Sequence, residues 1–403
     1  MVKLTLTTIV FATLFTLGLG AEDKVCEKSI KVNTQSDLDA IKSCKIFKGA
    51  INIDQLAVAN LRLDGVQQII GDLILTGNAD LLSFSAPDLQ KVDGHIKVEN
   101  HTILSKAEFP KLTEAKSFSM AVLPALEVIH FPSGLSKIVS MRIEDTRAPR
   151  VEGFKPETLD TFILTNNVYL KSFDFNSVKE VKGDILVLGN NRAMTFEANQ
   201  LKTINTATFL NLAAISLPAL STIKSDISFH ENDFMTLNLD SVETIGGTVT
   251  IANNNKLGET SFKNLTRING ALSVGNNTQL TSIDGFPLLS EVYGTIDLAG
   301  SFNKYDLPSL QDVRGGMRLQ STSSQLGCPE IERKLKGDNI VKGSKWSCTS
   351  DMKEANMIPT VGQKPSSKSG NDGGNTQSDA NPLINNQRTL WLACIFGLIY
   401  YLG

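Results

Sequence analysis

The sequence predicts an all-β fold in which about thirteen short strands stack as the coils of a parallel β-solenoid. Three recurring features predict it. An apolar–x–apolar pair returns every 20 to 24 residues, a glycine often stands two residues before the pair, and an asparagine often stands three residues after it. A unit this short cannot bury its apolar side alone, so stacked units are expected to share one core.

The apolar pairs set the positions of the strands. Alternation of apolar and free positions is typical of a short strand that buries one face. The units lack a stretch of helical period, which favours a solenoid of strands over a repeat with a full helix. Numbered in chain order, coils 1 to 13 carry the pairs Ile51/Ile53, Leu73/Leu75, Ile96/Val98, Phe118/Met120, Met141/Ile143, Phe162/Leu164, Ile185/Val187, Ala207/Phe209, Ile227/Phe229, Val249/Ile251, Leu272/Val274, Ile296/Leu298 and Met317/Leu319.

The glycine and asparagine columns indicate how each coil turns. Glycine before a strand, as at Gly71 and Gly294, allows a positive φ or a tight bend. Asparagine after a strand, as at Asn232 and Asn254, can hydrogen-bond backbone groups, so stacked copies are expected to form a ladder. Other polar residues hold this column in some coils, among them Thr146, Ser301 and Thr322. Coils about 4.8 Å apart would give a stack on the order of 60 Å long.

Residues 1–20 have the pattern of a secretory signal peptide. Lys3 supplies a positive charge, an apolar stretch follows, and small residues stand before Glu22. We expect cleavage after Gly20, with Ala21 as the next choice. A membrane-spanning helix that stays in place is the alternative.

The other end has the pattern of a signal for a glycosylphosphatidylinositol (GPI) anchor. The apolar stretch 390–402 is shorter than the roughly twenty residues that a bilayer span needs. A polar spacer and a zone of small residues precede it, as GPI attachment requires. We expect residues 351–380 to be a flexible polar linker and residues 381–403 to be a propeptide that is removed. A retained tail anchor is the alternative. Attachment is predicted at Ser378, with Asn375, Gly374 and Asn371 as alternatives.

The cysteines predict a disulfide at each end of the repeat region. Removal of Cys394 with the propeptide leaves an even number, which suggests disulfides in a secreted chain. Three connectivities are open, and the economical one joins Cys26 to Cys44 and Cys328 to Cys348. Residues 21–48 and 326–350 are then caps around a solenoid of residues 49–325.

Several function classes are disfavoured. A net charge of −3 argues against nucleic acid as the main partner. No CxxC motif or His/Cys cluster suggests a metal, and no cofactor motif is present. The outward acids Asp72, Asp184, Asp226 and Asp297 stand several coils apart, so no close carboxylate pair suits glycoside hydrolysis. We expect no catalytic, cofactor or metal-binding residues.

Surface positions give three further candidates. Asn100, Asn264 and Asn276 begin N-glycosylation sequons, and Asn276 is expected to point away from the ladder residue beside it. Outward apolar residues on coils 6 to 8 suggest a protein-contact patch, with cover by a loop or glycan as the alternative. These residues are Ile163, Leu186, Leu188 and Leu210. The outward hydroxyls of Thr208, Ser228, Thr250 and Ser273 suggest a surface that contacts polysaccharide. A solvated surface of β-favouring residues with no binding role is the alternative.

The Gly-x-Ile-x-Val-x-x-Asn units with cysteine loops at both ends resemble the receptor L-domain, a leucine-rich-repeat-like right-handed β-helix. With the secretion and anchor signals, the whole chain resembles the fungal GPI-anchored family of cell-wall-organisation proteins built on that domain. The resemblance implies a non-enzymatic glycoprotein of the plasma membrane or wall, held by its GPI lipid and needed for wall integrity. Its expected partners are wall glucan or other wall proteins. A glycan-binding or wall-crosslinked scaffold is the alternative, followed by a wall-polysaccharide-modifying enzyme.

Overall fold

The described chain is a single stack of parallel strands, which confirms the predicted β-solenoid. The structure, a computed structural model, describes residues 24–357. The predicted signal peptide, the GPI attachment site with its alternatives, and the C-terminal propeptide lie outside the described residues.

Each predicted apolar pair lies in a strand of one continuous face, which we call the main face. Neighbouring coils pair in parallel and in register, as Ile51 with Leu73 and Leu272 with Ile296 show. The strands that contain this face are Ile30–Val32, Ile51–Asp54, Leu73–Thr76, Lys91–Glu99, Glu114–Leu123, Lys137–Thr146, Thr161–Thr165, Glu180–Leu188, Thr203–Leu210, Ile227–His230, Val249–Ala252, Leu272–Gly275, Ile296–Gly300, Met317–Ser321 and Trp346–Thr349.

Two further faces complete each coil. Shorter strands precede the main face and belong to the same 23-stranded sheet. They are Ile46–Lys48, Gln68–Ile70, Thr158–Leu159, Thr222–Ile223, Thr244–Ile245, Arg267–Ile268, Glu291–Val292 and Asp312–Val313. The third face follows the asparagine corner and consists of small parallel sheets. Its strands are Asn60–Arg62, Ser83–Ser85, Lys106–Glu108, Ile129–Leu135, Val151–Phe154, Ser172–Asp174, Thr195–Glu197, Ala214–Ser216, Thr236–Asn238, Glu259–Ser261, Ser282–Ile283 and Lys304–Tyr305.

The core is a column of apolar side chains enclosed by the three faces. Both members of every predicted pair are buried. Phenylalanines from successive coils touch along the column, and the rings of Phe209 and Phe229 stack with centroids 5.5 Å apart. Such contacts add to the hydrophobic gain from burial, since aromatic pairs favour offset or edge-on geometry.

Both ends are closed by short helices and a disulfide. Bonds join Cys26 to Cys44 and Cys328 to Cys348. The helical segments are Lys24–Glu27, Gln35–Asp39, Cys328–Glu332 and Arg333–Gly337. Each predicted cap also supplies a strand to the main face, because Ile30 pairs with Ile51 and Met317 pairs with Trp346. The parallel sheet therefore extends beyond the predicted repeat limits at 49 and 325.

The glycine column serves close packing between coils more than turning. Gly49 and Gly71 have positive φ, but Gly294 does not. A Cβ atom on Gly294 would lie 2.6 Å from the carbonyl oxygen of Gly270, to which the Gly294 N–H donates at 2.8 Å. A positive φ is thus used at some of these glycines and not at others. Coils meet here backbone to backbone, and a side chain would separate them.

The asparagine ladder is present, and its members are buried. The amide nitrogen atoms of Asn254, in the backbone and in the side chain, both donate to Oδ1 of Asn277, at 2.8 and 3.0 Å. Its Nδ2 also donates to the carbonyl of Phe229 at 3.1 Å. Asn254 therefore joins three successive coils. We expected Ser301 and Thr322 to continue this column, but they do not. The strands before them are longer, and both residues are half-buried and hydrogen-bonded to each other instead.

Candidate functional site

The outward apolar residues form the contiguous patch that their spacing predicts. Ile163 lies beside Leu186 on the next coil, and Leu186 beside Thr208. Leu188 and Leu210 occupy the neighbouring outward column, and all four side chains are half-buried. A role in partner binding stays a prediction.

The predicted hydroxyl surface is open over only part of its length. Thr208 and Ser228 are half-buried, whereas Thr250 and Ser273 are buried, with 7% and 4% of their surface exposed. The described C-terminal segment reaches this face, since the Met357 side chain occupies the space that a Cβ on Gly275 would need. The flat polar row expected from the sequence is therefore not available as one binding surface.

An arginine fixes that C-terminal segment to the main face. Arg318 pairs with Asp297 at 2.6 Å, and its Nη1 donates to the backbone carbonyl of Asn356 at 2.9 Å. The segment thus turns back over coils 13 to 11 after leaving the C-terminal cap.

Most of the outward acids serve the stack itself. Asp72 accepts a hydrogen bond from the backbone N–H of His95 at 2.8 Å, and Asp226 accepts one from Thr248 at 2.7 Å. Asp297 is occupied by Arg318. Within residues 24–357, no group of three or more His, Cys, Asp or Glu residues is placed to hold a metal ion.

The sequon asparagines differ in accessibility. Asn100 and Asn264 are exposed. Asn276 is half-buried, and its Nδ2, the atom that would carry the glycan, donates to Oδ1 of Asn253 at 3.0 Å. One of the two N–H groups of this amide is therefore engaged with Asn253 in the folded protein.

Two histidines lie within the stack, His101 buried and His230 half-buried. His101 takes the ladder position in coil 3, where its Nδ1 lies 3.3 Å from the backbone nitrogen of Asn78. Burial lowers the pKa of His101 and of His230, because a charged imidazolium loses its hydration there. The charge of Glu231 partly opposes the pKa shift of His230.

A polar recess lies at the asparagine corner, between coils 7 and 10. Its origin is a short coil 8. Thr195 and Ala214 are paired across coils 7 and 8, so they mark the same point of the coil. Thr195 stands five residues after the ladder residue Asn190, whereas Ala214 stands only two residues after Leu212. Coil 8 therefore lacks three residues of corner, and the longer corners on either side stand above it.

The recess has a volume of about 380 Å³ and is lined by polar residues from four coils. The lining residues are Arg192, Asn211, Glu231, Asn232, Asp233, Asn253 and Asn255. Asp233 is paired with Lys256 at 3.1 Å, whereas Arg192 and Glu231 form no ion pair within the described part of the chain. We call this the corner recess. Sequence reasoning missed it, and the unequal corner lengths are the signal that would have revealed it.

No helix in the stretch from residue 24 to residue 357 is long and apolar enough to cross a membrane. The stacked coils, the disulfide-closed ends and the polar corners together define a disulfide-capped β-solenoid.

Comparison with known proteins narrows this class to a family. No family model matches the chain. The chain is 30% identical over 352 residues to protein ecm33 of Aspergillus fumigatus, a match that covers 87% of this chain and 85% of the relative. It is 29% identical to sporulation-specific protein 22 of Saccharomyces cerevisiae, over 94% of this chain and 85% of the relative. A cell surface GPI-anchored protein of Arthroderma benhamiae is 28% identical, over 81% and 83%.

The chain therefore belongs to the fungal family of cell-surface and cell-wall proteins that includes protein ecm33. This confirms the family predicted from the sequence. The more specific likeness to the receptor L-domain stays a prediction.

Proposed function

We propose that the protein is a non-enzymatic, GPI-anchored glycoprotein of the fungal cell surface that supports cell-wall organisation and integrity. The observation that carries this proposal is the match over most of the chain to relatives named as cell-surface GPI-anchored or cell-wall proteins. The secretion and anchor signals in the sequence agree with that location.

The use of the outward acids supports a non-enzymatic role. General acid and base catalysis needs carboxyl groups free to exchange protons with a substrate. Asp72 and Asp226 are instead bonded to backbone N–H groups of the next coil, and Asp297 neutralises Arg318. These carboxylates stabilise the stack.

A deletion strain of the source fungus tests the wall role. We expect hypersensitivity to wall-binding dyes, rescued by the full-length gene and not by a gene truncated after Ala380. Growth of the deletion strain equal to wild type under wall stress would contradict the proposal.

A lipase experiment tests the anchor separately. Phosphatidylinositol-specific phospholipase C is expected to release the full-length product from membranes. In the matched control variant, bulky residues replace Ser378, Asn375, Gly374 and Asn371. The lipase should release none of this variant from membranes. Release of the unmodified protein by high salt alone would exclude a lipid anchor.

The enzymatic alternative has its own test. Purified protein should leave β-glucan, chitin and mannan chain lengths unchanged. Cleavage or transfer products that accumulate with time and enzyme concentration would establish the enzyme instead.

A further inference from the structure

We propose that the corner recess between coils 7 and 10 binds a neutral oligosaccharide. This is a binding activity additional to the anchored wall role, and it can be measured without any cellular phenotype.

The lining of the recess suits a ligand rich in hydroxyl groups. Arg192 supplies only donors, Glu231 only acceptors, and the side-chain amides of Asn253 and Asn255 supply both. A sugar hydroxyl donates and accepts at once, so it can satisfy adjacent groups of both kinds. An apolar ligand would leave these polar groups unpaired, which is costly.

The charge balance favours a neutral ligand. Lys256 already neutralises Asp233, which leaves one positive charge on Arg192 and one negative charge on Glu231. An anion would be repelled by Glu231 and a metal cation by Arg192. Oxygen ligands for calcium are present, but calcium sites depend on several free carboxylates.

The recess is held rigid by the ladder. Glu231 and Asp233 flank the buried ladder residue Asn232, and Asn253 and Asn255 flank Asn254. Asn232 donates two hydrogen bonds to Oδ1 of Asn254, both at 2.9 Å. These four lining residues therefore stand on fixed backbone, and binding to them would lose less conformational entropy than on a mobile loop.

An aromatic side chain lies on the same corner, one coil before the recess. Tyr169 is 51% exposed and occupies on coil 6 the position that Arg192 holds on coil 7, since Thr165 pairs with Leu188. The guanidinium carbon of Arg147 lies 5.6 Å from the ring centroid of Tyr169. An exposed ring beside hydrogen-bonding groups can pack against the C–H face of a sugar.

Titration calorimetry on protein expressed from the full-length sequence tests the proposal. The probes are linear hexasaccharides of β-1,3-glucose, of β-1,4-N-acetylglucosamine and of α-1,6-mannose. We expect saturable binding of at least one probe, with little change between low and high salt because the ligand is neutral. No binding of any probe, or affinity that collapses in salt, would overturn it.

Two variants locate the binding. Arg192→Ala combined with Asn255→Ala removes two exposed groups of the recess and should weaken binding about tenfold. Insertion of Gly-Ser-Gly between Leu212 and Ala213 restores the missing corner and should abolish it. The matched control, Arg150→Ala with Asn269→Ala, changes exposed residues elsewhere and should bind normally. Circular dichroism and melting curves confirm that each variant folds. Unchanged affinity in both recess variants would overturn the assignment.

Discussion

The same corner of the solenoid is built in two ways. In coils 9 to 11 it carries buried asparagines, each bonded to the next, and five or four positions separate the ladder residue from the third face. In coil 8 the ladder position is Leu212 and only two positions follow before Ala214. The Leu212 backbone N–H still donates to Oδ1 of Asn232, at 2.9 Å.

The difference between these corners shows that the corner has two roles, one in stability and one in surface shape. The asparagine corners satisfy backbone groups that the turn would otherwise leave unpaired, so they stabilise the stack. The short corner of coil 8 keeps the hydrogen bond between the Leu212 N–H and Asn232 but lacks the loop residues of its neighbours. The space that those residues would fill is the corner recess. Stability and surface shape can therefore vary independently from coil to coil.

Loss of a ladder residue should have the largest effect. Asn254→Ala removes hydrogen bonds to coils 9 and 11 and leaves buried donors and acceptors unpaired, so we expect a loss of about 3 kcal/mol in the free energy of unfolding. Urea unfolding measures it. The control Asn255→Ala, next in sequence but exposed, should change stability little. Equal losses in the two variants would show that the ladder is not what stabilises this corner.

A side chain in the glycine column should have the next largest effect. Gly294→Ala places Cβ 2.6 Å from the Gly270 carbonyl oxygen, and the resulting separation of coils should cost about 2 kcal/mol. Coil 8 has Asn205 in this column, so Asn205→Ala should cost below about 0.5 kcal/mol. Thermal unfolding of both variants compares them. A melting temperature for Gly294→Ala equal to that of the unmodified protein would refute close packing as the reason for glycine.

Restoring a ladder asparagine in coil 8 should change the free energy of unfolding only a little. Leu212→Asn loses apolar burial, but its side chain can join Asn190 to Asn232, so we expect a net change within about 1 kcal/mol. Leu212→Ala makes a cavity without new hydrogen bonds and should cost about 3 kcal/mol. Similar unfolding midpoints for the two variants would mean that the corner cannot accept an asparagine here.

The histidine in the ladder should give the smallest effect, a dependence on pH. Burial keeps the pKa of His101 in the folded protein below its ordinary value of 6.5, so the unfolded chain binds the proton more readily. The contribution of neutral His101 to the free energy of unfolding is therefore fully present above pH 6.5, and it decreases as the pH falls below that value. His101→Asn should reduce the loss of stability between pH 7 and pH 5, measured by urea unfolding. A steeper loss in the variant would reverse the sign and contradict this assignment.

The periodic parts of the molecule were predictable, and the irregular parts were not. Apolar pairs and asparagines repeat, so thirteen strand positions and the ladder could be inferred from spacing. The strands Ile30–Val32 and Trp346–Thr349 lie in the cysteine segments, where the glycine and asparagine markers are missing. The cover of Gly275 by Met357 joins residues far apart in sequence.

The candidate site was less predictable than the fold. The apolar patch follows directly from strand register, because outward positions on adjacent coils must be neighbours. The corner recess depends on a difference in loop length, which becomes visible only when Thr195 and Ala214 are known to pair. A repeat indicates what successive coils share, whereas the recess results from what one coil lacks.

Cysteine cross-linking across coil 8 tests most directly whether the stack continues in register through the short corner. Thr208 and Ser228 are partners on adjacent coils of the main face. Thr208→Cys with Ser228→Cys should oxidise to an intramolecular disulfide, detected by mass spectrometry of peptides. The shifted pair, Thr208→Cys with His230→Cys, should stay reduced. Efficient cross-linking of the shifted pair with none in the aligned pair would contradict the parallel stack.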